Sequence, residues 1–131
     1  GHNPPYRVCQ DRVERLRLDP GLALGIREEA IYSDQRIQLL PGEVLFLYTD
    51  GVTEAMNERE ALFGDERLQA CLGCLRDETP ESICRGLLDD LAQFVGKQIQ
   101  SDDITMIALG FTNRQPAQGV GAETVQTGGS T

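Results

Sequence analysis

Little positive charge, a single histidine and no long apolar run mark this sequence of 131 residues, and each shortage removes a class of function. Lys and Arg total 12 against 21 Asp and Glu, a formal net charge of -9. Phosphate backbones repel such a chain, so nucleic acid is excluded as a partner. No apolar run approaches the roughly 20 residues that a membrane-spanning helix needs, so no membrane segment is expected here. Four cysteines are present, Cys9, Cys71, Cys74 and Cys84, but only one CxxC, and the sole histidine is His2. That set argues against zinc, whose strong signal is two correctly spaced pairs. Cys71 and Cys74 instead share a helical face with Leu68, Leu72 and Leu75 as small buried apolar residues. Free thiols point to a reducing, cytoplasmic setting. The opening residues show no initiator methionine and no basic-then-apolar leader, so the expectation is an excerpt of a longer polypeptide without a secretion signal.

The chain does have enough apolar content, 40%, for one core. Its first third reads as short strands at 6–9 and 13–18, an Asp19-Pro20-Gly21 turn, a compact apolar segment at 22–26, and two further strands at 30–32 and 37–40. After the Pro41-Gly42 turn, residues 44–48 are apolar on both faces, which predicts a central strand covered above and below. Helical spacing then predicts one helix from Gly64 through Leu75 and a second capped by Thr79, with Pro80 at its first position, through Val95. An interior strand follows over 104–109. From Thr112 the composition turns to Gln, Gly, Thr, Ser and Ala, which predicts a folded unit over 1–111 and a disordered tail or linker over 112–131. The fold class is α+β, a mostly antiparallel sheet with two helices packed on one face.

Two groups of carboxylates stand at strand ends. The run GEVLFLYTDGVTEAMNE ends its strand on Asp50-Gly51, and Ser101-Asp102-Asp103 precedes the strand starting at Ile104. If these strands lie side by side and antiparallel, Asp50 leaves the sheet at the edge where Asp102 enters it. Carboxylates brought that close repel by several kcal/mol at intermediate dielectric, and a cation between them relieves this. Oxygen-only ligands select Mg²⁺ or Mn²⁺ over zinc. Each acid also has a plainer reading, since Asp-Gly is a common turn and Asp102 can cap one. Arg7, Arg12, Arg15 and Arg17 make the opening segment basic, either to meet a phosphorylated partner or as the solvated face of a strand.

Larger patterns resemble one family. Gly1-His2-Asn3-Pro4-Pro5 is similar to an AGHxPP stretch, Leu22-Ala23-Leu24-Gly25 to a PLG segment, and Leu40-Pro41-Gly42-Glu43 with Leu47 to Ala55 and Asn57 to the signature LxxGDxLxLYTDGVTEAxN. Phe63-Gly64 and Arg67-Leu68 follow at the expected distance, and Ser101 to Thr105 resembles a closing DDxT motif. All belong to the SpoIIE/RsbU branch of the PP2C-like (PPM) metal-dependent serine/threonine phosphatases, and the resemblance runs from residue 1 to about Leu109. It implies part of an αββα sandwich and a centre of two divalent ions, Mn²⁺ or Mg²⁺, with Asp50 and Asp102 as ligands and catalytic residues. Two such ions about 4 Å apart activate a water for in-line attack at phosphorus, with no side-chain nucleophile. Asp103, Thr53, Glu54 and Asn57 are expected nearby as groups that orient the ligands or order the loop, and His2 as a substrate-binding residue.

The resemblance further implies a phosphorylated protein substrate, such as an anti-sigma-factor antagonist in bacterial signalling, and an upstream sensor or receiver domain. Family members draw further ligands from an earlier Asp-x-x-Gly-type segment that is not in this sequence. The fragment by itself is therefore expected to be inactive and to self-associate through its open face. Two alternatives remain. One is a non-catalytic binding module of the same fold; the other is a haloacid-dehalogenase-like phosphatase, disfavoured because Tyr48 occupies the position of that nucleophile and cannot form an acyl phosphate.

Overall fold

Alternation in the sequence Val-Leu-Phe-Leu-Tyr organises the whole fold. The computed structural model describes residues 2–18, 21–98 and 103–112. Four strands, β1 (Tyr6–Val8), β2 (Val13–Arg15), β3 (Val44–Tyr48) and β4 (Met106–Gly110), form one antiparallel sheet in the order β2-β1-β3-β4. The helices are α1 (Asp50–Thr53), α2 (Gly64–Cys74) and α3 (Pro80–Val95). The architecture is α+β with the two long helices on one face of the sheet, as expected.

Register decides which side chains meet the helices. Phe46 lies opposite Tyr6 on one side and Ala108 on the other, so Val44, Phe46, Tyr48, Tyr6 and Val8 all point the same way. They are buried against Leu68 and Leu72 of α2 and Ile83, Leu87 and Leu91 of α3. The opposite face carries Leu45 and Leu47, half-buried, with Ile107 and Leu109 at 50% and 52% exposure. The two-sided covering expected of β3 is thus a correction: among the described residues no second layer lies on that face.

Helix ends follow local chemistry. Thr79 Oγ1 accepts the N–H of Ser82 at 3.2 Å, and Pro80 occupies the first turn, where a missing N–H costs nothing. The buried stripe Ile83, Leu87, Leu91 repeats every four residues. Gly96, at φ 65°, ends α3 in the left-handed region that glycine enters most freely. Gly110 permits close approach of β4 to α3, since a Cβ there would sit 2.7 Å from Pro80 Cγ. Cys71 is buried as expected, but Cys74 is exposed: it lies about 120° round the helix from Leu68. Burial first, with the Asp90 carboxylate beside it, pushes the Cys71 thiol up to about 12, so it stays protonated and is a poor metal ligand at neutral pH.

The expected strands at 30–32 and 37–40 do not form; those residues are irregular, with Ile31 at 96% exposure and Ile37 at 45%. Apolar composition alone does not make a strand. The backbone needs a ladder to bond with, and neither β2 nor β4 pairs with this stretch. The Asp19-Pro20 part of the predicted turn and residues 113–131 of the predicted tail lie outside the described residues. No helix among the described residues is long and apolar enough to cross a membrane.

Among the described residues, three of the four early arginines are paired. Arg12 meets Asp11, Arg15 meets Asp65, and Arg7 grips Glu43 with bonds of 2.6 to 3.0 Å. Glu43 also accepts the Leu40 N–H at 2.7 Å and the Cys9 Sγ–H at 3.3 Å, fastening the turn before β3 to β1. The Leu40 amide first, then Arg7, lowers the Glu43 carboxyl below the ordinary carboxylate range. A lowered folded-state pKa means that the ionised form stabilises the fold above about pH 4.3, and that this contribution disappears as pH falls through the folded value. Thermal melts from pH 7 down to pH 3 check this: Glu43→Gln is expected to be less stable at pH 7 and to lose less on acidification than the parent chain.

Candidate active site

The rim where β3 ends and β4 begins is built by one threonine and the acids beside it. Thr49 N donates to Thr105 O at 3.0 Å, extending the β3–β4 ladder one step past Tyr48. Thr49 Oγ1 donates to Asp103 O and accepts the Thr105 N–H, both at 3.0 Å. The antiparallel pairing therefore puts the segment entering β4 beside the residue that leaves β3, with Asp50 next in the chain. Asp102 lies outside the described residues. Asp103 is exposed at the rim.

Asp50 begins the short helix α1 and is exposed. Its Oδ1 accepts the N–H of Gly51 at 3.1 Å, and among the described residues it forms no ion pair. Its backbone oxygen takes the Thr53 Oγ1–H at 3.2 Å and the Glu54 N–H at 2.8 Å, closing the turn. Val52, fully buried in the core, anchors this helix from below. Glu54 itself is exposed. Asn57 turns the other way: its Oδ1 accepts the N–H groups of Arg59 and Ala61, both at 3.0 Å, and so organises the loop that leads to α2.

His2 is exposed and lines a cavity of about 730 Å³ with Pro4, Leu22, Tyr32, Leu47 and Tyr48. Because β1 runs antiparallel to β3, the residues before Tyr6 pass alongside those after Phe46. His2 thus stands at the same end of the sheet as Asp50. Tyr48 packs its ring near Tyr6, centroids 5.9 Å apart, and donates its hydroxyl to Asp65 Oδ1 at 3.2 Å. Burial raises its pKa strongly. The residue at the dehalogenase nucleophile position is a buried neutral phenol turned toward the helices, which is no nucleophile at all.

The donor set at this rim is oxygen only. An exposed carboxylate that no cationic side chain among the described residues pairs with, at the end of a buried strand, suits a hard divalent ion. The fit extends to one ligand: among the described residues no group of three or more His, Cys, Asp or Glu gathers. Two contributions escaped the reading of the sequence. Thr49 bridges the strand ends, and Glu43 ties the turn before β3 to β1. The sequence signal for both was their place beside Asp50 and within the Pro-Gly turn.

The model of the family described as Stage II sporulation protein E (SpoIIE) matches residues 1–112. The chain belongs to the SpoIIE family. This SpoIIE-family chain is 31% identical over 109 residues to Protein IcfG of Synechocystis sp., covering 83% of itself and 17% of that protein. Among solved structures, the SiaA-PP2C domain of Pseudomonas aeruginosa is similar at 25% identity and a TM-score of 0.63, covering 82% of this chain and 42% of that one. A Bacillus subtilis SpoIIE structure holding the PP2C phosphatase domain and a fragment of the regulatory domain matches in fold at a TM-score of 0.68 and 23% identity, covering 88% of this chain and 33% of that one. The SpoIIE phosphatase domain in crystals presoaked with Mn matches at 0.63 and 21%, covering 89% and 50%. The chain thus spans half or less of each relative's length. Its sheet and helices form part of a PP2C-like phosphatase fold.

Proposed function

We propose that this chain is the part of a metal-dependent protein serine/threonine phosphatase domain that carries Asp50, Asp102 and the rim between β3 and β4. The observation that carries the reading is the placement of Asp50. Its carboxylate is exposed and unmatched by any cation among the described residues, at the end of a buried strand whose neighbour is entered from Asp103. Membership of the SpoIIE family and the PP2C-like fold support the phosphatase class.

In this reading Asp50 and Asp102 hold Mn²⁺ or Mg²⁺, and the ions supply an activated water and charge stabilisation at phosphorus. The chain's own residues do the placing. Thr53 and the Glu54 amide close the turn below Asp50, while Asn57 orders the following loop. Asp103, next to Asp102 in the chain, would orient it, and His2, at the same end of the sheet as Asp50, would meet the phosphorylated side chain. The substrate is a phosphoserine or phosphothreonine on a regulatory protein, such as an anti-sigma-factor antagonist, in the bacterial cytoplasm, with a sensor or receiver domain upstream in the same polypeptide.

The open sheet face of Leu45, Leu47, Ile107 and Leu109 is covered in the complete domain by the remaining layer of the sandwich. The isolated chain is expected to self-associate through that face and to show little hydrolysis. The full-length protein is expected to release phosphate from a phosphopeptide with Mn²⁺ and to stop on addition of a chelator. Light scattering and a phosphate-release assay on both polypeptides check this. A monomeric isolated chain with the activity of the full-length protein would overturn the division of labour, and a full-length protein indifferent to metal would overturn the reading.

A further inference from the structure

We infer that Thr49 is a positioning residue for the rim: its hydroxyl locks the backbone of Asp103 and Thr105 to the residue immediately before Asp50. The inference rests on the phosphatase reading above, and it concerns how the two acid-bearing segments are held at a fixed separation. The last backbone bond of the β3–β4 ladder at this end is Thr49 N to Thr105 O. Past it the chain of β3 turns into α1, and β4 is entered from Asp103.

Thr49 stands at the N-cap position of α1, in extended geometry with φ -89° and ψ 161°. A threonine there ordinarily turns its hydroxyl onto a free N–H of the first helical turn. Here it makes no cap bond. The hydroxyl reaches across to the neighbouring strand instead, donating to Asp103 O and accepting from Thr105 N, each at 3.0 Å. One side chain thereby satisfies a carbonyl and an amide that flank Ile104. It ties them within a single residue of Asp50, and its β-branched stem has restricted χ1 freedom to lose.

A carboxylate carried on a turn free to move against the neighbouring strand would hold an ion loosely, because its oxygens would drift. The Thr49 bridge removes that freedom. Groups that orient ligands without touching the ion govern affinity by about 10- to 100-fold. Thr49 acts through backbone rather than on a carboxylate directly, so the lower end of that range applies.

The test uses the full-length protein and Mn²⁺ alone as the probe, with free Mn²⁺ read by electron paramagnetic resonance. Thr49→Val keeps the shape and the backbone N–H and deletes the hydroxyl; Thr49→Ser keeps the hydroxyl. Thr49→Val is expected to weaken Mn²⁺ binding about tenfold and to raise the Mn²⁺ concentration for half-maximal hydrolysis by the same factor. Its melting temperature is expected to fall only slightly, because both lost side-chain bonds are exposed to water. Thr49→Ser is expected to restore binding to within about twofold of the parent. Unchanged Mn²⁺ affinity in Thr49→Val, alongside lost binding in Asp50→Ala, would overturn the inference while leaving the phosphatase reading standing. Equal weakening by Val and Ser would overturn it too, because the hydroxyl would then be irrelevant. Parent-like Mn²⁺ binding in Asp50→Ala would remove the reading on which it rests.

Discussion

Asp50→Ala in the full-length protein is expected to lower kcat/KM on a phosphopeptide about a thousandfold, a loss of about 4 kcal/mol of transition-state stabilisation. The argument starts from what the wild-type carboxylate does in the fold, which is little. It is exposed, and among the described residues its one side-chain bond is to the adjacent Gly51 amide. Exposed substitutions of this kind change stability by about 0.5 kcal/mol or less, so the melting temperature is expected to hold. Activity and stability therefore separate. A phosphate-release assay with Mn²⁺, run beside a thermal melt, checks both, and a large fall in melting temperature would mean that Asp50 is structural. Undiminished dephosphorylation would instead favour the non-catalytic binding module.

The largest loss of stability is expected at Phe46. Its side chain is fully buried at the centre of the sheet, opposite Tyr6 and Ala108, with its ring 6.1 Å from that of Tyr48. Phe46→Ala deletes the ring and leaves a cavity between the sheet and the helices, at a cost of about 3–5 kcal/mol. That is a large part of the roughly 5–15 kcal/mol by which a domain is stable. Leu47, the next residue, points to the face left open within this chain and is only half-buried, so Leu47→Ala in the isolated chain, at dilutions where it is monomeric, is expected to cost about 1 kcal/mol. Urea denaturation of the two variants checks the contrast. Equal costs would mean that the two faces of β3 are equally covered in solution.

Both predictions rest on features that the sequence displayed unevenly. Residues 44–48 read as a strand, and they are one, because a run of apolar and aromatic residues after a Pro-Gly turn has few other ways to fold. Which of its faces would be covered was not legible. Val44 and Leu45 are equally apolar, and only the pairing of Tyr6 with Phe46 decides that the odd face stays open. The helix from Pro80 was legible to the residue, since Thr79, Pro80 and the four-residue stripe are local signals. The strands expected at 30–32 and 37–40 failed for the opposite reason: β structure is a property of two segments, and their composition could not name a partner.

The rim shows the same division. An aspartate at the end of an apolar strand and a pair of aspartates before another could be seen from the chain, and family resemblance gave them a role. The bridge made by Thr49 could not, because a threonine hydroxyl beside a helix start is expected to cap that helix. Only the arrival of residues 103–105 alongside offered it a better pair of partners.

Sequence by itself determined the kinds of groups available: acids that favour hard cations, apolar periods that make one central strand and two helices, and an excess of acidic over basic residues. Tertiary structure decided that Asp50 is exposed at the end of a buried strand, which face is covered and which arginines are paired among the described residues. The physical reason is reach. Period, capping and charge act over a few residues, whereas the contact of Thr49 with Asp103 spans 54 positions and exists only because two strands pair.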